Sequence, residues 1–197
     1  MIILASQSAS RVAMLTAAGV AHDAVPAHVD EAEVTAGLVA AGASPDRIAD
    51  ALAELKAVKI ARRHPGILVL GADSVVVAAD DMLIDKAGTR AEAVAQMQHL
   101  SGTTHRLVSA AVFARDGVPV WRASGTVRLT MRPLSDAFIT AYLDAEGDAL
   151  RGCVGCYRIE GRGAQLFSRV DGDQFTVRGL PLLEILDYLR VCGELPT

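Results

Sequence analysis

Two apolar runs, Val108 to Ala114 and Val118 to Ala123, flank the pair Asp116-Gly117. Asp-Gly between strand-length runs favours a two-residue turn with positive φ at both positions, which folds the chain back into an antiparallel hairpin. Elsewhere strand-length runs alternate with helical patterns, the arrangement that produces parallel pairs. A chain holding both signals is expected to build an α/β fold around a mixed, twisted sheet with flanking helices. The hairpin's second arm continues as Val127, Leu129 and Met131 alternating with Arg128 and Thr130, the period of a half-buried strand.

The alternation begins at the first residues. Ile2 to Ala5 reads as a strand, Ser6-Gln7-Ser8-Ala9-Ser10-Arg11 as a polar loop, and Ser10 to Ala18 as a short helix stopped by Gly19. Serines at a helix start either cap it or, with Arg11 one turn in, offer hydroxyls, amides and charge to an oxyanion; both readings are open. Asp23, Asp30, Glu31 and Glu33 then form an acidic stretch that by itself reads as a solvated loop. Ser44-Pro45-Asp46 supplies an N-cap, a first-turn proline and a dipole-matched acid. The helix it opens, striped by Ile48, Leu52 and Leu55, is expected to stop near His64, ahead of Pro65-Gly66. Lys59 continues the stripe by spacing and Lys56 flanks it, so periodicity does not choose between them.

Ile67 to Leu70 is the next strand, and Gly71-Ala72-Asp73-Ser74 places a carboxylate beyond its C-terminal end, where α/β sheets gather chemistry. After that strand and its continuation through Val75-Val76-Val77, Asp80-Asp81 marks a turn into Met82-Leu83-Ile84. Thr89 to Glu92 has capping-box spacing for a helix burying Ala93, Met97 and Leu100 and ending at Gly102. Lys86 lies on the loop between them. A further helix follows Ser135, with Phe138, Ile139, Tyr142 and Leu143 inward, and Gly147 ends it. Strand-like runs Ala164 to Val170 and Phe175 to Val177 flank the Asp171-Gly172 turn, and a last helix spans Pro181 to Val191.

The chain has 197 residues, enough for one domain or two closely packed lobes. Hydrophobic residues make up 51%, but no window reaches the ~18 unbroken apolar residues of a membrane span. The N-terminus shows no secretory signal pattern, so the cytoplasm is the expected location. A net charge of −4 with no basic cluster argues against a surface for long nucleic acids, whose affinity rests mainly on phosphate neutralisation. Three tyrosines, four phenylalanines and one tryptophan give little platform for stacking single strands. Of three cysteines, Cys153 and Cys156 form a Cys-x-x-Cys pair among glycines, with no second pair to complete a zinc site; a tight turn is expected. His105, without a carboxylate nearby in sequence, reads as a hydrogen-bonded structural histidine. Gly161-Arg162-Gly163 lacks the third glycine of a dinucleotide fingerprint.

Taken in order, Leu4-Ala5-Ser6-Gln7-Ser8 with Arg11, Asp30-Glu31, Leu52-Ala53 with Lys56-Ala57, and Gly71-Ala72-Asp73-Ser74-Val75-Val76 resemble the Maf family of nucleotide pyrophosphatases. The pattern continues through Asp85-Lys86, Leu100-Ser101-Gly102 with His105, Gly155-Cys156-Tyr157 with Glu160-Gly161, and Gly179-Leu180-Pro181-Leu182. The resemblance implies a single Maf-like domain over residues 1–197, with two lobes around a central nucleotide cleft, as in the wider Maf/ITPase-like superfamily. It implies hydrolysis of a nucleoside triphosphate to monophosphate and pyrophosphate with a divalent cation, Mg²⁺ or Mn²⁺, in a homodimer. Clearance of non-standard or modified nucleotides is the implied role; a nucleotide-binding regulator of septum formation with little turnover is the alternative.

Residue by residue, the resemblance makes Asp73 the proton acceptor, Ser8, Arg11, Lys56 and Lys86 the phosphate ligands, and Glu31 with Asp73 the metal ligands. Whether Asp73 acts as base, as metal ligand or as both is open at this point. Ser10, Ser74 and Glu160 fall on specificity positions. Ala9-Ser10-Arg11 stands where the family commonly has Pro-Arg-Arg or Pro-Trp-Arg, and Ala87 where a proline usually follows the lysine. Glu160 resembles the branch acting on 7-methyl-GTP, whereas Ser74 resembles the threonine of the branch acting on dTTP and UTP. The preferred base is therefore open.

Overall fold

The computed structural model describes residues 1–150 and 152–196. Strand β1 (Ile2–Leu4) leads through α1 (Ala9–Ala17) to β2 (His22–Ala24), which pairs with it in parallel, Ile3 opposite Asp23. Helices α2 (Glu31–Ala40) and α3 (Pro45–Ala61) then return the chain to β3 (Val69–Val77), parallel to the other side of β1 with Ile3 opposite Val69. The short β4 (Leu83–Ile84) pairs antiparallel with the end of β3, and α4 (Arg90–Leu100) follows. The long strands β5 (Thr104–Arg115) and β6 (Val118–Met131) meet at Asp116 and Gly117, whose φ values of 53° and 77° are those of the expected turn. After α5 (Asp136–Glu146), β7 (Phe167–Asp171) pairs antiparallel with β6, Leu129 opposite Val170. Two short helices close the chain, α6 (Gln174–Val177) and α7 (Leu182–Val191). The strand order is β2-β1-β3-β5-β6-β7 with β4 on β3, a mixed seven-stranded sheet as expected.

The chain divides into two compact units, one of residues 1–74, 108–125 and 179–197, the other of 75–107 and 126–178. The first has a core that includes Ile2, Leu4, Leu15, Ile48, Ile60 and Phe113, all with at most 1% exposure. Burying each such side chain contributes about 1.5–3 kcal/mol. In the second, the inward residues of β6 (Val127, Leu129, Met131) join Met97 and Leu100 of α4 and Ile139, Tyr142 and Leu143 of α5 in one cluster.

The helix starts follow their caps: Ser44, Thr89 and Ser135 each accept the backbone N–H three residues on. Glu92, the acid of the capping box, reaches back one residue further than expected, to the Gly88 N–H. Several local readings need correction. The acidic stretch is no loop from Glu31 onward but α2, capped by the Asp30 carboxylate accepting from Glu33 N–H. The Ser44 helix ends at Ala61, with Arg62 as its C-cap, and Leu55 is 36% exposed. Residues Arg162–Leu166 form a 3-10 helix, so the strand begins only at Phe167, and Gln174–Val177 is helical because Asp173 caps it through Thr176 N–H. Finally, β3 runs unbroken from Val69 to Val77, as its continuation through Val75-Val76-Val77 implies, so Asp73 lies within the strand rather than beyond its end.

Gly71 explains that last point. A Cβ there would collide with the Ala53 carbonyl oxygen and lie 2.6 Å from Ala57 N, so α3 rests on β3 backbone to backbone. Glycine here serves close approach. The helix face that makes the contact consists of Ala53, Lys56, Ala57 and Ile60, all buried.

Candidate active site

Asp73 lies two residues beyond Gly71 on the same face of β3, because successive strand side chains alternate. Lys56 sits between Ala53 and Ala57 on the face of α3 that Gly71 admits. The two are thereby pressed together: Lys56 Nζ donates to Asp73 Oδ1 at 2.5 Å, with each residue only 7% exposed. The same ammonium lies 2.6 Å from Glu31 Oε1, at the start of α2. Two carboxylates thus converge on one cation. Lys59, which continues the stripe by spacing, donates instead to the His28 carbonyl at 2.5 Å.

Arg11 approaches from the other side of the strand. Its Nε donates to the Gly179 carbonyl at 3.0 Å, Nη1 to the Ala72 carbonyl at 2.9 Å and Ser6 Oγ at 3.4 Å, and Nη2 to Ser74 Oγ at 3.1 Å. Four of the five guanidinium N–H groups are thus spent on the protein, clasping the β1–α1 loop, β3 and the turn before α7. Burial presses the pKa of Arg11 below the usual arginine value, while the negative charges of Asp73 and Glu31 oppose that shift. Ser74 Oγ is shared with Ser109 Oγ at 2.8 Å. Ser8 does cap α1, its Oγ accepting from Arg11 N–H at 3.4 Å, and its own N–H donates to Ser6 Oγ at 3.2 Å. Ser10 Oγ is buried and makes no hydrogen bond among the described residues. Ser6, Ser109 and Gly179 are parts of the site that the sequence reading missed. A lone serine inside the apolar run Val108–Ala114 was the available signal for Ser109.

A magnesium or manganese ion bound with a triphosphate takes one or two carboxylates from the protein and fills its shell with phosphate oxygens and water. Asp73 and Glu31 fit that demand, since both already reach a single cation, the Lys56 ammonium. Among the described residues no group of three or more His, Cys, Asp or Glu side chains is placed to hold a metal.

The remaining candidates belong to the second unit. Lys86 N–H donates to Asp85 Oδ1 at 2.7 Å, and its backbone bridges to Val154. Glu160 Oε1 lies 3.8 Å from Arg158 Nε, and Arg158 Nη1 lies 3.5 Å from Glu146 Oε2. Cys153 and Cys156 form the expected tight turn, Cys156 N–H to the Cys153 carbonyl at 3.3 Å, and both are free thiols. Burial pushes the Cys156 thiol up to about 11, which keeps it protonated. His105 is buried against Tyr157, Nε2 to the hydroxyl at 3.0 Å, and burial lowers its pKa to about 4. It is neutral and structural, as expected.

The profile of the family described as Maf-like protein matches residues 1–192. The chain is 54% identical over 195 residues to the nucleoside triphosphate pyrophosphatase of Sphingopyxis alaskensis, covering 99% of this chain and 98% of the relative. It is 50% identical to the nucleoside triphosphate pyrophosphatase of Caulobacter vibrioides, covering 98% and 96%. A relative named 7-methyl-GTP pyrophosphatase, from Rhizobium etli, is 43% identical, with 98% and 97% covered. With a matching profile over nearly its whole length and relatives of this similarity, the chain belongs to the Maf-like family.

Proposed function

We propose that this chain is a nucleoside triphosphate pyrophosphatase, hydrolysing the bond between the α- and β-phosphates to release a nucleoside monophosphate and pyrophosphate. The observation that carries the reading is the buried Lys56 ammonium held between Asp73 and Glu31, in a chain whose relatives bear that name. In the reaction a water oxygen forms a new bond to phosphorus, the phosphoanhydride bond breaks, and the water proton needs an acceptor. Asp73 is that acceptor. It sits on a rigid strand, and its partner Lys56 orients it. A bound divalent ion supplies charge neutralisation and a more acidic water; Asp73 and Glu31 would hold it. Ser8, Arg11 and Lys56 face the phosphates, Arg11 with the one N–H its clasp leaves over. Lys86 is assigned to the remaining phosphate oxygens, and Ser10, Ser74 and Glu160 to the base, on the family pattern alone. No described helix is long and apolar enough to cross a membrane, and a cytoplasmic, homodimeric enzyme belongs to the same proposal.

The test is release of pyrophosphate and monophosphate from a panel of triphosphates with Mg²⁺ or Mn²⁺, in wild type and Asp73→Asn. An amide can neither take the proton nor neutralise a cation, so turnover should fall ~10²–10⁴-fold while the fold is kept. Wild-type rates in a folded Asp73→Asn protein would remove Asp73 from the mechanism. Binding of triphosphate with no pyrophosphate released would point instead to a regulator.

A further inference from the structure

Lys56 stands at the point where Asp73 and Glu31 converge, 2.5 Å from one and 2.6 Å from the other, with 7% exposure. The ammonium answers both carboxylates at once, and their charges also bear on Arg11. A free divalent ion would have to displace the ammonium from both acids and leave it buried away from them, which a low-dielectric setting strongly disfavours. Two carboxylates are also too few for its coordination shell, and no third acid, histidine or cysteine is placed beside them among the described residues.

We propose that Lys56 is an internal counter-cation that closes the carboxylate pair to free divalent metal, so that the metal enters only together with the triphosphate. This rests on the assignment of Asp73 and Glu31 as metal ligands. The triphosphate brings more negative charge than the metal brings positive, and it supplies the missing oxygen ligands. The ammonium, on a flexible four-carbon stem, then exchanges carboxylate oxygens for phosphate oxygens. Lys56 thus has two roles in sequence: it plugs the empty metal position, then neutralises the substrate.

The experiment measures Mn²⁺ binding by electron paramagnetic resonance and by thermal melting. The samples are wild type alone, wild type with an α,β-methylene triphosphate that resists hydrolysis, and Lys56→Gln alone. Wild type alone should hold Mn²⁺ only weakly and melt at an unchanged temperature. With the analogue, Mn²⁺ should be bound by the protein and raise the melting temperature. Lys56→Gln, which removes the ammonium from both carboxylates, should bind Mn²⁺ alone at least about tenfold more tightly than wild type and be stabilised by it. Lys56→Arg keeps the charge and should show no such gain. Wild type binding Mn²⁺ alone as tightly as with the analogue overturns the proposal, with no variant needed. So does a folded Lys56→Gln protein with wild-type metal affinity. If wild type turns over triphosphates yet either result is obtained, only the role of Lys56 falls; if no pyrophosphate is released, the pyrophosphatase reading falls as well.

Discussion

Replacing Gly71 by alanine probes the contact that brings Lys56 to Asp73. The added Cβ would meet the Ala53 carbonyl oxygen, Ala57 N at 2.6 Å and Ala57 Cβ at 2.9 Å. Two of these three are backbone atoms of α3 and cannot rotate aside, so relief requires the helix to lift by roughly 1 Å toward ordinary separations of ~3.5 Å. Overpacking of this kind costs ~1–3 kcal/mol, and the backbone contact places Gly71→Ala at the upper end, about 3 kcal/mol. For a chain of this length that lowers the melting temperature by about 6–12 °C. Lys56 lies between the two displaced residues and moves with them, and a misplacement of ~1 Å near reacting groups costs ~10²-fold in rate. Thermal melting and pyrophosphate release are read on the same preparation. Gly37→Ala is the control, an exposed helical glycine with nothing within 4 Å, where alanine should stabilise by about 0.5–1 kcal/mol. A Gly71→Ala protein that melts and turns over like wild type would show that α3 is not seated on this glycine.

Glu160→Gln should lower the kcat/KM ratio of 7-methyl-GTP to dTTP by about tenfold, because an ionised carboxylate only accepts, and guanine edges donate; an unmoved ratio means Glu160 does not choose the base. His105, with a folded pKa of about 4 against an ordinary 6.5, binds its proton more readily in the unfolded chain. Stability is therefore fully present above pH ~6.5 and falls as the pH drops toward about 4, by up to about 3 kcal/mol. Urea midpoints at the two ends should show this loss in wild type and a smaller one in His105→Gln. Cys153→Ala and Cys156→Ala should keep activity within about twofold and carry no zinc, since both thiols are raised by burial and bonded within the fold; loss of activity or of bound zinc would refute this.

What was legible was local. Cap serines and threonines, the Asp116-Gly117 turn and the alternation in Val127–Met131 act over a few residues, and each lies where the chain alone places it. Helix α2 escaped because Val34 and Leu38 share a face but Val39 turns away from it and none is fully buried, so two residues make too short a stripe to be read. On α3, Ile48 and Leu52 are buried as their stripe implies, but Leu55 is exposed, and the buried face also takes in Ala49, Ala53, Ala57 and Lys56. Small residues carry little hydrophobic signal yet make the closest packing. Taking Gly71 as the end of the Ile67–Leu70 run puts Asp73 beyond a strand, when that glycine permits a helix to touch an unbroken one. The site joins Glu31, Lys56 and Asp73 from three separated segments, and no spacing rule connects them; only the ordered family pattern did. Ser109 reaches the site through Ser74, a contact between β5 and β3 that the chain order does not announce.

Helix α2 has no fully buried residue, yet it carries Glu31. Its opening should therefore cost less than that of α3, whose face is sunk against β3, because a segment with few buried contacts can unravel locally below the global unfolding free energy. Each time it does, the Lys56–Glu31 contact is lost with it. Backbone amides from Glu33 to Ala40 should exchange with solvent on a faster clock than those of α3, and that clock should slow or quicken with whatever Lys56 is holding. Deuterium uptake in α2 thus becomes a gauge of the charge state of the site, readable without following any reaction.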